Sequence, residues 1–374
     1  MKIGIVCYPT YGGSGVVATE LGRLLASRGH EIHFICYNLP VRFTSWVAEG
    51  IVFHPVEVVS YPLFKFPPYT LALASKIVEV IERYGLEIIH VHYAIPHTMA
   101  AYLALKMLHD YPAKIITTLH GTDISLIGMD PSYKNITRFS LDTSHGITAV
   151  SHYLAEVAKV EFDYTKPIQV IHNFVDSNKF KKAQGASQRQ PYSPSGEKIV
   201  THISNFRTVK RIPDVLECFR RIQQHVPSVL LMVGDGPEAP TAKLLTREMG
   251  LASKVYFLKF VNSVQHILSI TDVYLLPSEI ESFGLTALEA MSCEVPVVAY
   301  RVGGLPEVIE DEGCGFLVDK GDIEAMARAA LLILKDGQLS NKLGERGRSL
   351  SIHRFSDQDK VVEYESYYHH ICSP

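Results

Sequence analysis

The sequence has no marked excess of charge of either sign: 36 basic and 39 acidic side chains leave a net charge of −3. A nucleic-acid binder usually carries a basic face, so that class is disfavoured. A small anionic ligand needs only a few local cations and stays open. Cysteine is sparse and unpatterned. Cys7, Cys36, Cys218, Cys293, Cys314 and Cys372 form no CxxC and no Cys/His cluster at zinc spacing, which excludes a disulfide scaffold and a zinc module. Reduced thiols and a cytoplasmic location are expected. No apolar run is long enough to cross a bilayer. The amino terminus, MKIGIVCY, enters a strand pattern without a charged n-region and cleavage site, so no signal peptide is expected.

What is present is ordinary globular sequence. With 374 residues, 47% hydrophobic and 20% charged, the chain is too long for one core, and two domains are expected. Lys2–Tyr8 and Lys198–Ser204 each read as the first strand of an α/β domain. After the first, helices are predicted over Val16–Arg28, Leu71–Tyr84 and His97–Asp110. They alternate with strands Glu31–Tyr37, Ile88–His92, Lys114–Leu119 and Gly146–Val150. After the second, helices are predicted over Ile212–Gln224, Ala239–Met249, Ser263–Ser269 and Leu285–Met291. The strands between them are Val229–Val233, Lys254–Leu258, Val273–Pro277 and Pro296–Tyr300. Such alternation predicts α/β architecture: doubly wound parallel sheets covered by helices on both faces. Lys179–Glu197 is polar and rich in Gly, Pro and Ser, the composition of a linker or exposed insertion. The boundary is placed near Thr165, giving Rossmann-like domains over 1–165 and 166–355. Ser356–Ile371 opens with a Ser-x-x-Asp cap pattern, and the helix within 356–374 is expected to pack back on the first domain.

Two loops carry the chemistry. Pro9–Gly15 joins the first strand to the first helix, where glycines let backbone approach a ligand and a helix N-terminus offers N–H groups to an anion. Gly13-x-Gly15-x-x-Ala18 also satisfies the dinucleotide fingerprint. However, the second strand ends Cys36-Tyr37-Asn38, without the acid that holds an adenosine ribose, which disfavours an oxidoreductase. The stronger stretch is Asp272–Ile309, where a buried strand runs into a loop with Glu281 and a helix bearing Glu289. The Phe283–Thr286 turn places bare amides where a diphosphate can sit. Taken alone, the two glutamates also suit the exposed face of an amphipathic helix.

They do not stand alone. Glu281 and Glu289, with seven residues between them in ESFGLTALEAM and followed by PVVAYRVGGLPEVI, resemble the EX7E signature of the retaining GT-B glycosyltransferases of family 4. So do His120-Gly121-Thr122-Asp123, Val233–Glu238 and the N-terminal Gly-rich loop, in the family's order along the whole chain. The resemblance implies two Rossmann-like domains facing a cleft that closes on substrates. It implies that Glu289 binds the donor ribose, while Glu281 with the amides of Phe283, Gly284, Leu285 and Thr286 holds donor sugar and diphosphate. Gly13, Ser14, Gly15, Asn205 and Gly234 belong to the implied donor-binding loops. His120 would contact the transferred sugar, and Arg207 and Lys210 would neutralise the diphosphate, so that His120, Glu281, Arg207 and Lys210 form the catalytic set. Lys210 fits the family's lysine position. Arg207 is displaced by two residues, because Ser204-Asn205 stands where the family usually has Gly-Arg. Cations and helix amides would stabilise the departing UDP where other folds use a metal, so no metal or other cofactor is expected. No carboxylate nucleophile is evident, which favours a front-face reaction with retention, the leaving phosphate helping to deprotonate the acceptor.

Asn38–Phe43, Val56–Glu82, Ile88–His97 and Thr117–Ile124 resemble a narrower branch of this family. Its implied donor is UDP-N-acetylglucosamine and its implied acceptor L-malate, the first step of bacillithiol biosynthesis. Malate is a small dianion that needs one or two cations and several hydroxyl or amide donors. Ser14, Arg42, Tyr93, Thr118 and Thr122 lie at the carboxyl ends of the first domain's strands, where α/β folds bind ligands. Arg42 also suits a plain surface cation and Tyr93 a packed aromatic. The apolar stretch Tyr61–Tyr69 (YPLFKFPPY) carries one lysine, too little for an anionic membrane, and is expected to form a homodimer contact. The competing readings are a family-4 enzyme acting on a sugar or lipid, a nucleotide-sugar epimerase, and a nucleotide-sugar sensor.

Overall fold

The protein is described by a computed structural model covering residues 1–10, 12–40, 50–59, 62–182, 188–259 and 263–373. The chain divides into two compact units, Met1–Asn173 with Gln358–Pro374, and Phe174–Asp357.

The first unit contains β1 (Lys2–Val6), α1 (Gly13–Ser27), β2 (Glu31–Cys36), β3 (Ile51–Pro55), α2 (Tyr69–Tyr84) and β4 (Ile88–His92). There follow α3 (Met99–Met107), β5 (Lys114–Leu119), α4 (Pro131–Thr143), β6 (Gly146–Ala149), α5 (His152–Phe162) and β7 (Gln169–Val170). The strands form one parallel sheet in the order β3-β2-β1-β4-β5-β6-β7. The chain leaves this unit after Asn173 rather than near Thr165, because Gln169 and Val170 still pair with Thr148 and Ala149.

Alternation across β4 sets the two faces of the sheet. Ile89 and Val91 join Ile77, Val80, Ala101 and Ala104 in the core beneath α2 and α3. His90 and His92 take the opposite face, fully buried. The helix predicted over His97–Asp110 is shorter than expected. Pro96 lacks an N–H and Ile95 is extended (φ −126°, ψ 139°), so Ala94–Thr98 makes a wide turn and α3 starts only at Met99.

The second unit contains β8 (Lys198–Ile203), α6 (Ile212–Gln223), β9 (Ser228–Val233), α7 (Ala239–Glu248), β10 (Val255–Leu258), α8 (Val264–Leu268) and β11 (Val273–Leu276). After these come α9 (Leu285–Ser292), β12 (Val297–Tyr300), α10 (Leu305–Val308), β13 (Gly315–Val318), α11 (Ile323–Lys335) and α12 (Gly337–Arg354). Its parallel sheet has the order β10-β9-β8-β11-β12-β13. α12 escapes a sequence reading because Gly344 and Gly347 interrupt its pattern. A Cβ at Gly344 would lie 2.4 Å from the Glu294 carbonyl oxygen, so close packing on α9 requires the glycine.

The last helix, α13 (Asp357–Cys372), packs on the first unit. Tyr368 bonds His90 Nδ1 at 2.8 Å, Tyr367 donates to the Ile147 carbonyl, and Glu365 pairs with Arg28 and His30. Among the described residues, no helix is long and apolar enough to cross a membrane.

Strand order reverses between β1 and β4 in the first unit and between β8 and β11 in the second. Open α/β sheets gather ligands at the carboxyl ends of the strands flanking such a reversal. The motifs singled out above leave the strands there.

Candidate functional site

In the second unit, β11 runs into the loop that carries Glu281 and ends at Gly284. Gly284 has φ +97°, and a Cβ there would meet Leu305 Cδ2 at 2.5 Å, so only glycine lets α9 begin where it does. Leu285 and Thr286 form the first helical turn, whose amides have no partner within the helix. The Thr286 hydroxyl accepts from Tyr274 at 2.8 Å, and the Tyr274 ring is fully buried. The Phe283 side chain is buried too, edge-on to Phe355 at 5.7 Å between ring centres, leaving its backbone as its contribution. Glu289 follows one turn later and is only 6% exposed.

Lys210, 71 residues before Glu281, reaches the same place. Its Nζ lies 2.6 Å from Glu281 Oε2, and both side chains are less than a fifth exposed. The backbone builds this pair: Thr208–Lys210 is a single tight turn, and Glu279 N donates to the Val209 carbonyl at 2.7 Å. Arg207 is exposed at the start of that turn and is not part of the pair. Asn205 is exposed as well. Gly234 (φ +121°) lies against the preceding loop, where a Cβ would stand 1.9 Å from the Ser204 carbonyl oxygen. Close backbone packing between the β8 and β9 loops therefore accounts for this glycine.

Beneath the β8 loop, His202 Nδ1 donates to the Leu275 carbonyl at 2.9 Å, so its Nε2 accepts the Ser204 hydroxyl at 2.8 Å. Burial lowers the His202 pKa to about 4, so the ring stays neutral.

In the first unit, Gly12 is extended and α1 begins at Gly13, which is exposed. A Cβ at Gly15 would lie 2.4 Å from the Thr10 carbonyl oxygen, so this glycine lets the helix fold over its own loop. Ser14 bonds the Tyr93 hydroxyl at 2.8 Å. Tyr93 follows β4 with φ +91°, a conformation that costs a non-glycine residue about 1–3 kcal/mol and that tends to be kept at functional sites. His120 follows β5, its Nε2 2.8 Å from His92 Nδ1. The buried Asp123 carboxylate accepts from Ala94 N at 2.9 Å, Gly121 N at 3.0 Å and His120 N at 3.3 Å, and so ties the turns after β4 and β5 together. Burial outweighs these bonds and pushes the Asp123 pKa up to about 6. Burial likewise lowers His120 and His90 to about 3 and His97 to about 4, so the cluster is neutral near pH 7.

The remaining expected acceptor groups divide. Thr122 is half-buried in the turn Thr122–Leu126, two residues after His120. Thr118 is fully buried, its hydroxyl 2.6 Å from both His90 Nε2 and Thr148 Oγ1, a placement that serves the interior rather than a ligand. Arg42 lies outside the described residues.

Residues 11–179 match the family described as Glycosyltransferase Family 4, and residues 184–350 match Glycosyl transferases group 1. N-acetyl-alpha-D-glucosaminyl L-malate synthase of Bacillus anthracis is 47% identical over 372 residues, which cover 99% of this chain and 97% of that protein. The chain belongs to glycosyltransferase family 4. Solved structures agree in fold. A glycosyltransferase from Rickettsia africae superposes with a TM-score of 0.82 at 24% identity, covering 99% of this chain and 98% of that one. Anabaena HepE, solved with UDP-glucose, superposes with a TM-score of 0.76 at 20% identity, covering 98% and 100%.

As a family 4 glycosyltransferase, the protein has the GT-B fold, two Rossmann-like α/β domains. His92, Tyr274 and His202 are not marked as functional by the sequence alone, and the sequence assigns Asp123 no role. For His92 a signal existed: Ile-Ile-His-Val-His places two histidines on one face of a strand that is otherwise apolar. Tyr274 and His202 read as ordinary strand residues, and only the fold shows what their polar atoms meet.

Proposed function

We propose that this glycosyltransferase moves N-acetylglucosamine from UDP-N-acetylglucosamine to the hydroxyl of L-malate, giving N-acetyl-α-D-glucosaminyl L-malate and UDP. The observation that carries both substrates is the 47% identity, across 99% of the chain, to a protein named for that product. In this reading the first-turn amides of α9 and Lys210 hold the diphosphate, Glu281 orients Lys210 and the sugar, and Glu289 meets the ribose. Arg207 adds a second, more exposed cation. His120, Ser14, Tyr93 and Thr122 face the sugar and malate. The bond between the anomeric carbon and the β-phosphate oxygen breaks, and the malate hydroxyl oxygen bonds that carbon on the same face. Its proton passes to the departing phosphate. Charge growing on UDP is met by preorganised donors and cations, so this reaction requires no metal ion.

The test is a product assay with UDP-N-acetylglucosamine, L-malate and EDTA, read by mass and anomeric configuration. The α-linked conjugate is expected. Lys210→Ala and Glu281→Ala, once shown to fold by circular dichroism, should each lower kcat by about 10²- to 10³-fold. UDP release only with another acceptor would keep glycosyl transfer and remove malate.

The protein further acts in this reading as a homodimer. Leu63, Phe64 and Phe66, before α2, are 82%, 53% and 75% exposed, which favours self-association, whereas Tyr61 lies outside the described residues. Sedimentation should show a dimer that Phe66→Glu converts to monomer.

A further inference from the structure

The environment of His92 restricts how the His92–His120 pair can share its proton. His92 is fully buried on β4, between the rings of His90 (4.5 Å between centres) and His120 (5.1 Å). Its Nδ1 lies 2.8 Å from His120 Nε2, and one of these two nitrogens must carry the hydrogen. The other nitrogen of His92, Nε2, is buried with no hydrogen-bond partner among the described residues.

If His120 Nε2 donated, neutral His92 would carry its own hydrogen on Nε2, an N–H buried without an acceptor. If His92 Nδ1 donates, Nε2 keeps only a lone pair. Orphaned buried N–H groups are rarer in proteins than under-satisfied acceptors, so the second arrangement is favoured. The neighbouring His97 follows the same pattern. Its Nδ1 donates to the His92 carbonyl, and its buried Nε2 has no partner among the described residues.

We propose that His92 is a positioning residue that locks His120 in the tautomer with hydrogen on Nδ1, so that His120 offers the transferred sugar a hydrogen-bond donor and does not serve as a base. This rests on the placement of His120 beside the sugar in the function proposed above. It leaves deprotonation of the acceptor to the departing phosphate. Both rings hold their neighbours' polar atoms in fixed directions, so the donor is oriented before substrate arrives.

The decisive experiment is ¹⁵N NMR of the full-length protein labelled in its histidine rings, at neutral pH, with His120 assigned by comparison with His120→Asn. The expected spectrum shows His120 protonated on Nδ1 and bare on Nε2. A proton on Nε2, or a doubly protonated ring, overturns the proposal. Adding UDP-N-acetylglucosamine should then move the His120 signals. An expected tautomer that does not respond would leave the pairing standing and sink the placement of His120 at the sugar.

Kinetics give a second reading. His92→Phe should lower kcat by about 10- to 100-fold with little change in donor KM. His92→Asn, whose side-chain amide can donate from near the Nδ1 position, should restore most of the rate. A folded His92→Phe enzyme with wild-type kcat would refute the positioning role. If His92→Phe fails to fold, the wild-type tautomer and the Asn variant decide the matter.

Discussion

Thr118 and Tyr93 stand side by side at the ends of β5 and β4, joined by the bond from Tyr93 N to the Thr118 carbonyl, yet their side chains meet different surroundings. The Thr118 hydroxyl is committed to His90 and Thr148 inside the sheet's packed face. Thr118→Val would remove the hydroxyl that His90 Nε2 meets inside the sheet, at about 1–3 kcal/mol. The expected outcome is a lower denaturant midpoint with the KM for L-malate unchanged, read by urea melts and initial rates. Tyr93 is half-buried, and its hydroxyl bonds Ser14 at the start of α1. Tyr93→Phe should cost at most about 1.5 kcal/mol of stability while raising the acceptor KM several-fold. A Thr118 variant with normal stability and a raised malate KM would reverse this assignment.

At the scale of elements, the site in the second unit depends on where α9 begins. Gly284 combines a positive φ with a 2.5 Å approach to Leu305, so a methyl group faces both backbone strain and a clash. Gly284→Ala should lose roughly 1–3 kcal/mol of stability. It should also raise the donor KM, because the first-turn amides and Glu289 shift with the helix. Calorimetry together with UDP titration tests both effects, and unchanged UDP affinity would dissociate the helix start from diphosphate binding. α13 shows the same dependence in the first unit, since its Tyr368 fills one side of His90. The helix predicted from the cap pattern at Ser356 is therefore also a partner of the buried histidines, a role its polar sequence does not announce.

Over the whole molecule, buried histidines govern the response to acid. Burial lowers His90 and His120 to about 3 and His97 and His202 to about 4, with His92 lowered well below its ordinary 6.5. In the native state these rings are neutral, whereas in the unfolded chain they take up protons below about pH 6.5. The unfolded state then binds more protons, so stability is fully present above about 6.5 and falls as pH drops from there towards 4. Each ring contributes at most about 1.4 kcal/mol per pH unit. Asp123, raised to about 6, works in the opposite direction, but one carboxyl cannot offset five imidazoles. The urea midpoint should be nearly flat from pH 7 to 8 and fall steeply between pH 6.5 and 5. A midpoint constant down to pH 5 would contradict neutral burial of the cluster.

Local pattern was enough for the sequence by itself to determine the alternation of strands and helices, the two α/β halves and the spacing of Glu281 and Glu289. Each of these depends on residue periodicity or on neighbours a few positions apart. The pairing of Lys210 with Glu281, the burial of Thr118, the reason for Gly234 and the partnership of His92 with His120 were decided only by the tertiary structure. Each rests on atoms brought together from distant strands, where a buried polar group must find its partner within about 3 Å and no local pattern names that partner.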